Sequence, residues 1–443
     1  MLSREIFLFL TVFLTITTCL VSFSFEPAYY RTHVWPYILI FLGFSFVRYF
    51  FFTLGALVDN RHRESLLKRF NELDDYEYPS VSILVPAYNE EKVIVQTISH
   101  LAQLNYSNYE VVIIDDGSTD NTSALVQNSL ALYPHISIKL VFKPNGGKAE
   151  ALNFGLANSS GELILGVDAD GRLDSNAVMA GAKHFMDPKV ASVAGYVEVE
   201  GQRNLLEHFQ QLEYMISLNF LRKAYSTLGI VPVVPGPVGM FRREALNQVK
   251  GLTHDRHIFA EDAELSMRLI AHGWKIRSEE GMIAYTEAPG DWKSFFRQRY
   301  RWNRGVFQAL TANFNPMTAS PKPLARFTAL HLYAESWLLP LMNILLIANF
   351  LIRLFIYREA NLFTIWIAFA VFLDFWMLVM ASMRTGKFLK YLGLFILSKL
   401  FYENVLFFWR MFCLFDEWRE KDMNWDKIER HGIIKEAHFE QFR

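Results

Sequence analysis

Apolar positions along the chain fall into long runs at both ends and short runs in the middle. Residues 6–25 carry no charge, and at about 1.5 Å per residue their 20 positions reach about 30 Å, the thickness of a bilayer core. A cleavable signal peptide is the alternative, but Glu5 interrupts the leading segment and no A-x-A site follows. Residues 35–58 carry one arginine and are followed by Arg61, His62, Arg63, Lys68 and Arg69. The excess of cations predicts that the chain beyond lies in the cytoplasm and that the two segments form a hairpin. Long apolar segments return at 328–352, 361–382 and 391–414. Three crossings after two would leave the tail outside, although Trp418, Arg419, Lys421 and Lys427 have cytoplasmic character. One of the three is then re-entrant or interfacial, and the pattern leaves open which.

Between about 60 and 320, Val81–Pro86, Glu110–Ile114, Ile136–Phe142 and Leu163–Val167 read as buried strands. Helical patterns such as 90–103 and 147–157 separate them. This βαβ order predicts an α/β domain with a mostly parallel sheet, whose ligands bind beyond the carboxyl ends of the strands. Polar clusters stand at those ends: Tyr88-Asn89-Glu90, Asp115-Asp116-Gly117-Ser118, Asn145-Gly146-Gly147-Lys148 and Asp168-Ala169-Asp170-Gly171. Together they outline a binding site on one rim.

Composition narrows the class. A chain of 443 residues is too long for one small domain, and 52% hydrophobic with 20% charged residues and a mean hydropathy of +0.14 fits a mixed membrane and soluble protein. Lys and Arg number 44 against 45 Asp and Glu, a net charge of −1, which removes the basic excess a nucleic-acid partner needs. The two cysteines, Cys19 and Cys413, both lie in apolar stretches, so neither a disulfide framework nor a cysteine zinc site is expected, and the working parts should face a reducing compartment.

The rim residues limit the chemistry. Pro86-Ala87-Tyr88-Asn89 stands where a dinucleotide fingerprint needs its glycines, and Phe142 and Ala149 break a P-loop around Gly147-Lys148. Asp168-x-Asp170 presents two hard oxygen ligands suited to Mg²⁺ or Mn²⁺ shared with phosphates, although acidic turns also cap helices. Asp115-Asp116 has the same alternative through Ser118 and Asp120. Glu261-Asp262 opens a helical stretch, 261–272, and either stabilises its N-terminus or supplies a general base. Gln298-Arg299-Tyr300-Arg301-Trp302 lies in an amphipathic stretch, Trp292 to Phe307. It fits an interfacial helix and equally a site where arginine neutralises a diphosphate and tryptophan stacks on a sugar. Pro232, Pro235, Gly236 and Pro237 make a rigid turn or an acceptor loop, and His254 and His257 read as solvated.

Taken in order, Asp115-Asp116, Asp168-Ala169-Asp170, Glu261-Asp262 and Gln298-x-x-Arg301-Trp302 resemble the motifs of the membrane-embedded processive synthases of glycosyltransferase family 2. Ala260 departs from the threonine often found before the acidic pair. The layout is most similar to the bacterial poly-N-acetylglucosamine synthases, with hyaluronan, chitin and cellulose synthases sharing much of the pattern. The resemblance implies a nucleotide-sugar-binding, GT-A-like domain set between transmembrane helices. The expected division is a membrane hairpin at 1–60, a cytoplasmic catalytic domain at 61–290, interfacial helices at 291–325, membrane segments at 326–415 and a polar tail at 416–443. It implies that Tyr88, Glu90, Asp115, Asp116 and Lys148 surround a uridine diphosphate, and that Asp168 and Asp170 hold nucleotide and metal. Asp262, with Glu261 beside it, would be the catalytic base, Trp302 the acceptor floor, and Gln298 and Arg301 a clasp over the diphosphate. The implied partners are a UDP-sugar donor, a growing polysaccharide, membrane lipids and a small accessory membrane subunit, the implied cofactor Mg²⁺ or Mn²⁺, and the implied location a multi-pass cell membrane protein. The rival expectations are transfer of one sugar to a lipid and a non-catalytic membrane scaffold.

Overall fold

The computed structural model describes residues 35–71, 78–252, 258–358, 374–379, 381–382 and 388–421. The chain divides into two compact units, one within Met1–Thr53 and His331–Met380, the other within Leu54–Leu330 and Ala381–Arg443. In the first, Arg48 Nε donates to Glu335 Oε1 at 3.0 Å and Trp376 Nε1 donates to Thr53 Oγ1 at 3.0 Å.

The second unit carries an eight-stranded sheet. Its strands are β1 (Val81–Ala87), β2 (Tyr109–Asp115), β3 (Ser137–Phe142), β4 (Leu163–Gly166), β5 (Arg172–Leu173), β6 (Val190–Val199), β7 (Gly239–Arg242) and β8 (Lys275–Thr286), in the order β3-β2-β1-β4-β7-β6-β8-β5. The four sequence-read strands are present to within about one residue at each end. The apolar runs of β1, β2 and β4 are continuous because both faces are covered, whereas β3, at the edge of the sheet, leaves Ser137, Lys139 and Phe142 exposed, which corrects the buried reading of 136–142. Ile83, Val85, Val111, Ile113 and Leu165 pack with Ile94, Ile98 and Leu101 of the helix Ile94–Leu101, whereas Leu84 and Ile114 lie against Gly155 of the helix Lys148–Ala157. The helix expected over 90–103 is shorter, since the Glu90 carbonyl accepts from the N–H groups of Val93 and Ile94 and closes a turn first.

The sheet is mixed, which corrects the mostly parallel expectation. β1 pairs in parallel with β2 and β4, β2 with β3, and β6 with β8, but β7 is antiparallel to both β4 and β6, and β5 is antiparallel to β8. Parallel neighbours need a crossover connection, usually a helix, but a helical connection does not by itself fix the sense of the next strand. Between β6 and β7 the chain runs through the helices Leu205–Glu213 and Leu221–Leu228, joined by a π-helical stretch Tyr214–Phe220, and is free to return in the opposite sense.

The multi-pass expectation is also reduced. Among the described residues one helix, Phe388–Trp418, is long and apolar enough to cross a membrane, and it contains the expected span 391–414. Segment 35–58 lies in the helix Trp35–Asn71, and 328–352 lies in a helical run from Pro323 to Tyr357. Segment 6–25, most of 361–382 and the tail beyond 421 lie outside the described residues, as do His254 and His257.

Candidate functional site

The crevice follows from strand order. β2 lies on one side of β1 and β4 on the other, with Ala87 opposite Asp115 and Leu84 opposite Gly166. β1 to β3 are laid down on one side and β4 on the other, so the parallel carboxyl ends of β1 and β4 open a crevice at this switch point, lined by residues 88–90 and 168–170. Asn89, at φ +53°, turns the chain there: its N–H donates to Ser118 Oγ at 3.1 Å and its Oδ1 accepts from the Thr119 N–H at 2.8 Å. Tyr88 is exposed at this rim, and the Glu90 N–H donates to Thr122 Oγ1 at 2.8 Å.

Asp115 and Asp116 are both buried. Asp115 Oδ1 accepts from the Ser118 N–H at 2.8 Å, and its other oxygen accepts from the Ser123 hydroxyl. Asp116 accepts from the N–H groups of Gly146 at 3.0 Å and Gly147 at 2.7 Å and from Lys143 Nζ at 2.5 Å. It thereby holds the Asn-Gly-Gly turn in place. Gly147 has φ +86°, a left-handed conformation that glycine adopts without steric cost, and the helix Lys148–Ala157 starts at the next residue.

That turn aims Lys148 at the acidic groups. Its Nζ is 2.7 Å from Asp168 Oδ1 and 3.7 Å from Glu261 Oε1. In the Asp-Ala-Asp turn Asp168 and Asp170 are half-buried and Ala169 is buried: the Ala169 carbonyl accepts from the Thr97 hydroxyl at 2.6 Å, and the Gly171 N–H closes on the Asp168 carbonyl at 2.8 Å. Burial would lower the Lys148 ammonium pKa, but the carboxylates of Asp168 and Glu261 outweigh it and hold the group above its ordinary value. Asp262 is pushed the other way, up to about 6, by burial and by the neighbouring Glu261, with Lys148 opposing. Asp262 Oδ1 accepts from the Ala263 N–H at 2.8 Å, and the Gly236 N–H also hydrogen-bonds its carboxylate. Four predicted residues, Lys148, Asp168, Glu261 and Asp262, are thus brought together from three separate segments.

The Gln298-x-x-Arg301-Trp302 motif sits on the helix Trp292–Ala319, started by Asp291, whose carboxylate accepts from the Ser294 N–H at 2.9 Å. This helix packs beside Glu261–Ala271 at Gly305. A Cβ there would lie 2.7 Å from the Ala260 nitrogen and 2.8 Å from its Cβ, one residue ahead of the acidic pair. Gly305→Ala is therefore expected to lower the unfolding free energy by about 1–3 kcal/mol, the range for overpacking, as read by thermal unfolding; an unchanged Tm would refute the close approach. Gln298 has a buried Oε1 that accepts no hydrogen bond, and Trp302 is half-buried with its ring centroid 6.1 Å from that of Tyr214.

Sequence reasoning missed several contributors. Arg222 is buried, donates to the Gly195 carbonyl at 2.9 Å, lies in the field of Asp262, and has its pKa lowered by burial to about 10. Buried Arg299 and Tyr402 meet the half-buried Glu213 in a cluster beside Trp302. An isolated glycine inside a helical pattern was the available signal for Gly305; nothing in the local sequence marks Glu213 or Tyr402.

The arrangement offers a half-buried carboxylate of raised pKa beside a cation, with two further carboxylates at a rim. Among the described residues no three His, Cys, Asp or Glu side chains form a metal cage. Asp168 and Asp170 fit instead a divalent cation whose remaining ligands are phosphate oxygens and water, as Mg²⁺ prefers.

Comparison with known proteins places this geometry. Residues 82–250 match the sequence profile of Glycosyl transferase family 2. The poly-beta-1,6-N-acetyl-D-glucosamine synthase of Staphylococcus aureus is 28% identical over 267 residues, 60% of this chain and 62% of that protein. The synthase of the same name from Staphylococcus epidermidis is 28% identical over 243 residues, 55% of this chain and 58% of that one. The matches thus span less than two thirds of these relatives. Among solved structures, the mannosyltransferase PcManGT of Pyrobaculum calidifontis, in complex with GDP-Man and Mn²⁺, shares the fold with a TM-score of 0.54 at 20% identity, over 84% of this chain and 100% of that one. The rim carboxylates, the Lys148 cluster and the acidic pair lie on a GT-A-like α/β scaffold, and within it the segment 82–250 is similar to glycosyltransferase family 2.

Proposed function

We propose that the chain is an inverting glycosyltransferase that polymerises a UDP-sugar, UDP-N-acetylglucosamine foremost, into a β-linked polysaccharide at a membrane and exports it. The observation that carries this reading is Lys148 Nζ at 2.7 Å from Asp168 and 3.7 Å from Glu261, with the half-buried Asp262 alongside. The names of the staphylococcal relatives support the donor, and the apolar helix Phe388–Trp418 supports the membrane setting.

In this mechanism the Asp262 carboxylate takes the proton of the acceptor hydroxyl as its oxygen bonds to the anomeric carbon. The bond from that carbon to the diphosphate breaks, and UDP leaves. Lys148 and Arg301 neutralise the charge that develops on the leaving group, in a site where fixed charges act strongly. Asp168 and Asp170 would hold Mg²⁺ or Mn²⁺, which adds further positive charge at the diphosphate. Trp302 offers its ring to the acceptor sugar, and Gln298 closes over the diphosphate.

The test is incubation of purified, membrane-reconstituted protein with Mg²⁺ or Mn²⁺ and a panel of UDP-sugars, following UDP release and product size. A high-mass product from UDP-N-acetylglucosamine is expected. A single sugar on lipid would replace polymerisation with lipid glycosylation, and no turnover would leave the scaffold reading. In the same assay Asp170→Asn is expected to weaken metal-dependent donor binding by at least about tenfold, since even groups behind a metal ligand are worth about 10- to 100-fold. Undiminished metal-dependent affinity would remove Asp170 from the ligand set.

A further inference from the structure

Three residues that no family motif names meet beside Trp302. Arg299 is buried, one turn before Trp302 on the same helix, and its Nη2 lies 2.8 Å from Glu213 Oε2. The same carboxylate oxygen accepts from the Tyr402 hydroxyl at 2.6 Å. The Arg299 guanidinium lies over the Trp302 ring, 4.5 Å from its centroid, and 5.0 Å from that of Phe295. Glu213 ends the helix Leu205–Glu213. Tyr402 closes a π-helical turn, Ser398–Tyr402, in the apolar helix Phe388–Trp418, and its ring stacks on Phe209 at 5.0 Å. Further along the same two helices, Tyr300 donates to Asp416 at 2.8 Å, while Arg304 reaches Glu417 at 2.6 Å and the Lys421 carbonyl at 2.6 Å.

An arginine–carboxylate pair with a buried arginine and a half-buried carboxylate adds little net stability, because desolvation offsets the attraction. What such a pair contributes is direction. Held at Nη2 by the carboxylate, with its buried Nε making no hydrogen bond, the planar guanidinium presents its face to the aromatic ring. Burial would lower the Arg299 pKa, but Glu213 and the neighbouring Tyr214 outweigh burial and hold it above its ordinary value, so the guanidinium stays charged.

We propose that Glu213, Arg299 and Tyr402 are positioning residues that fix the plane of Trp302 for a sugar acceptor, and so couple the acceptor platform to the apolar helix Phe388–Trp418. This rests on the reading of Trp302 as the acceptor floor. The coupling predicts that disturbing this trio changes how the acceptor is held and how far a chain grows, without touching the donor.

The experiment compares wild type with Tyr402→Phe, Glu213→Gln, Arg299→Met and Arg299→Lys, all membrane-reconstituted as full chains. The donor is the UDP-sugar that wild type turns over fastest, and the acceptor is short N-acetylglucosamine oligomers. Tyr402→Phe keeps the ring on Phe209 and loses one hydrogen bond, so it reports the trio without threatening the fold. The expected result is an acceptor KM raised about tenfold in Tyr402→Phe and Glu213→Gln, with shorter product, because a tilted Trp302 ring binds the acceptor sugar less well. Donor KM and UDP release without acceptor should stay within about twofold. Arg299→Met should lose more and Arg299→Lys regain part, since lysine keeps the charge but not the fork. Donor and acceptor KM rising together, or neither moving in Tyr402→Phe and Glu213→Gln, would overturn the proposal. Absence of UDP release by wild type with every donor would instead overturn the transferase reading on which it rests.

Discussion

Asp262→Asn is expected to cut sugar transfer by about 10²- to 10⁴-fold, the range for a positioned general base, while donor affinity stays within about twofold. The amide is isosteric, and its oxygen can still accept from the Ala263 N–H now 2.8 Å from Asp262 Oδ1. What it cannot do is take a proton. The pH dependence follows from the same residue. Burial and Glu261 raise the Asp262 pKa to about 6, so the base is ionised above that value, and transfer by the wild type should fall about tenfold per pH unit below it. The residual rate of the variant should be flat there. Stability moves in the opposite sense. A folded-state pKa above the ordinary 3.8 means that protonation favours the fold; that contribution is complete below pH 3.8 and is lost as pH rises through about 6. At neutral pH the wild type therefore buries a disfavoured charge that asparagine lacks, and the variant should unfold at a higher temperature. Equal loss of donor binding, or a flat wild-type profile, would remove Asp262 from the role of base.

The sequence made the site's skeleton readable where local chemistry is the same as global position. Strands buried on both faces are nearly continuous in apolar residues, so β1, β2 and β4 and the polar groups at their ends could be read directly, while β3 was legible as a strand but not as the exposed edge it forms. β8 could not, because Arg277, Glu279 and Glu280 break its apolar pattern. In the fold Glu279 meets His184 at 2.9 Å and Arg63 at 2.8 Å, and Glu280 pairs with Arg63 and Lys223, partners distant in sequence that no periodicity reveals. The direction of β7 was hidden for a related reason: it depends on a long helical excursion rather than on the four residues of the strand. Asp115-Asp116 illustrates a third limit. The pair was legible as functional or as turn-forming, and in the structure both carboxylates accept bonds from nearby backbone and side-chain donors. Asp116 therefore acts on the crevice through the turn that aims Lys148.

Lys148→Met is the complementary prediction, and it separates two duties of one ammonium group. Removing a fixed charge that faces a developing oxyanion costs about 10²- to 10³-fold in kcat, so turnover should fall by that much if Lys148 neutralises the departing diphosphate. The second duty is toward the protein's own carboxylates. Lys148 is the cation between Asp168 and Glu261, and it opposes the upward push on the Asp262 pKa. Without it the acidic limb of the pH–rate profile should move to higher pH than in wild type, because a carboxylate among other carboxylates holds its proton longer. Lys148→Arg tests which duty dominates. Arginine restores the charge and should return the limb toward its wild-type position. Its planar fork needs more room than an ammonium, and a methyl group at Gly236 would already lie 3.1 Å from Lys148 Nζ, so full turnover should not return. If methionine weakens donor binding and leaves the limb where it was, Lys148 serves the phosphates alone, and the ionisation of Asp262 is set by burial and Glu261.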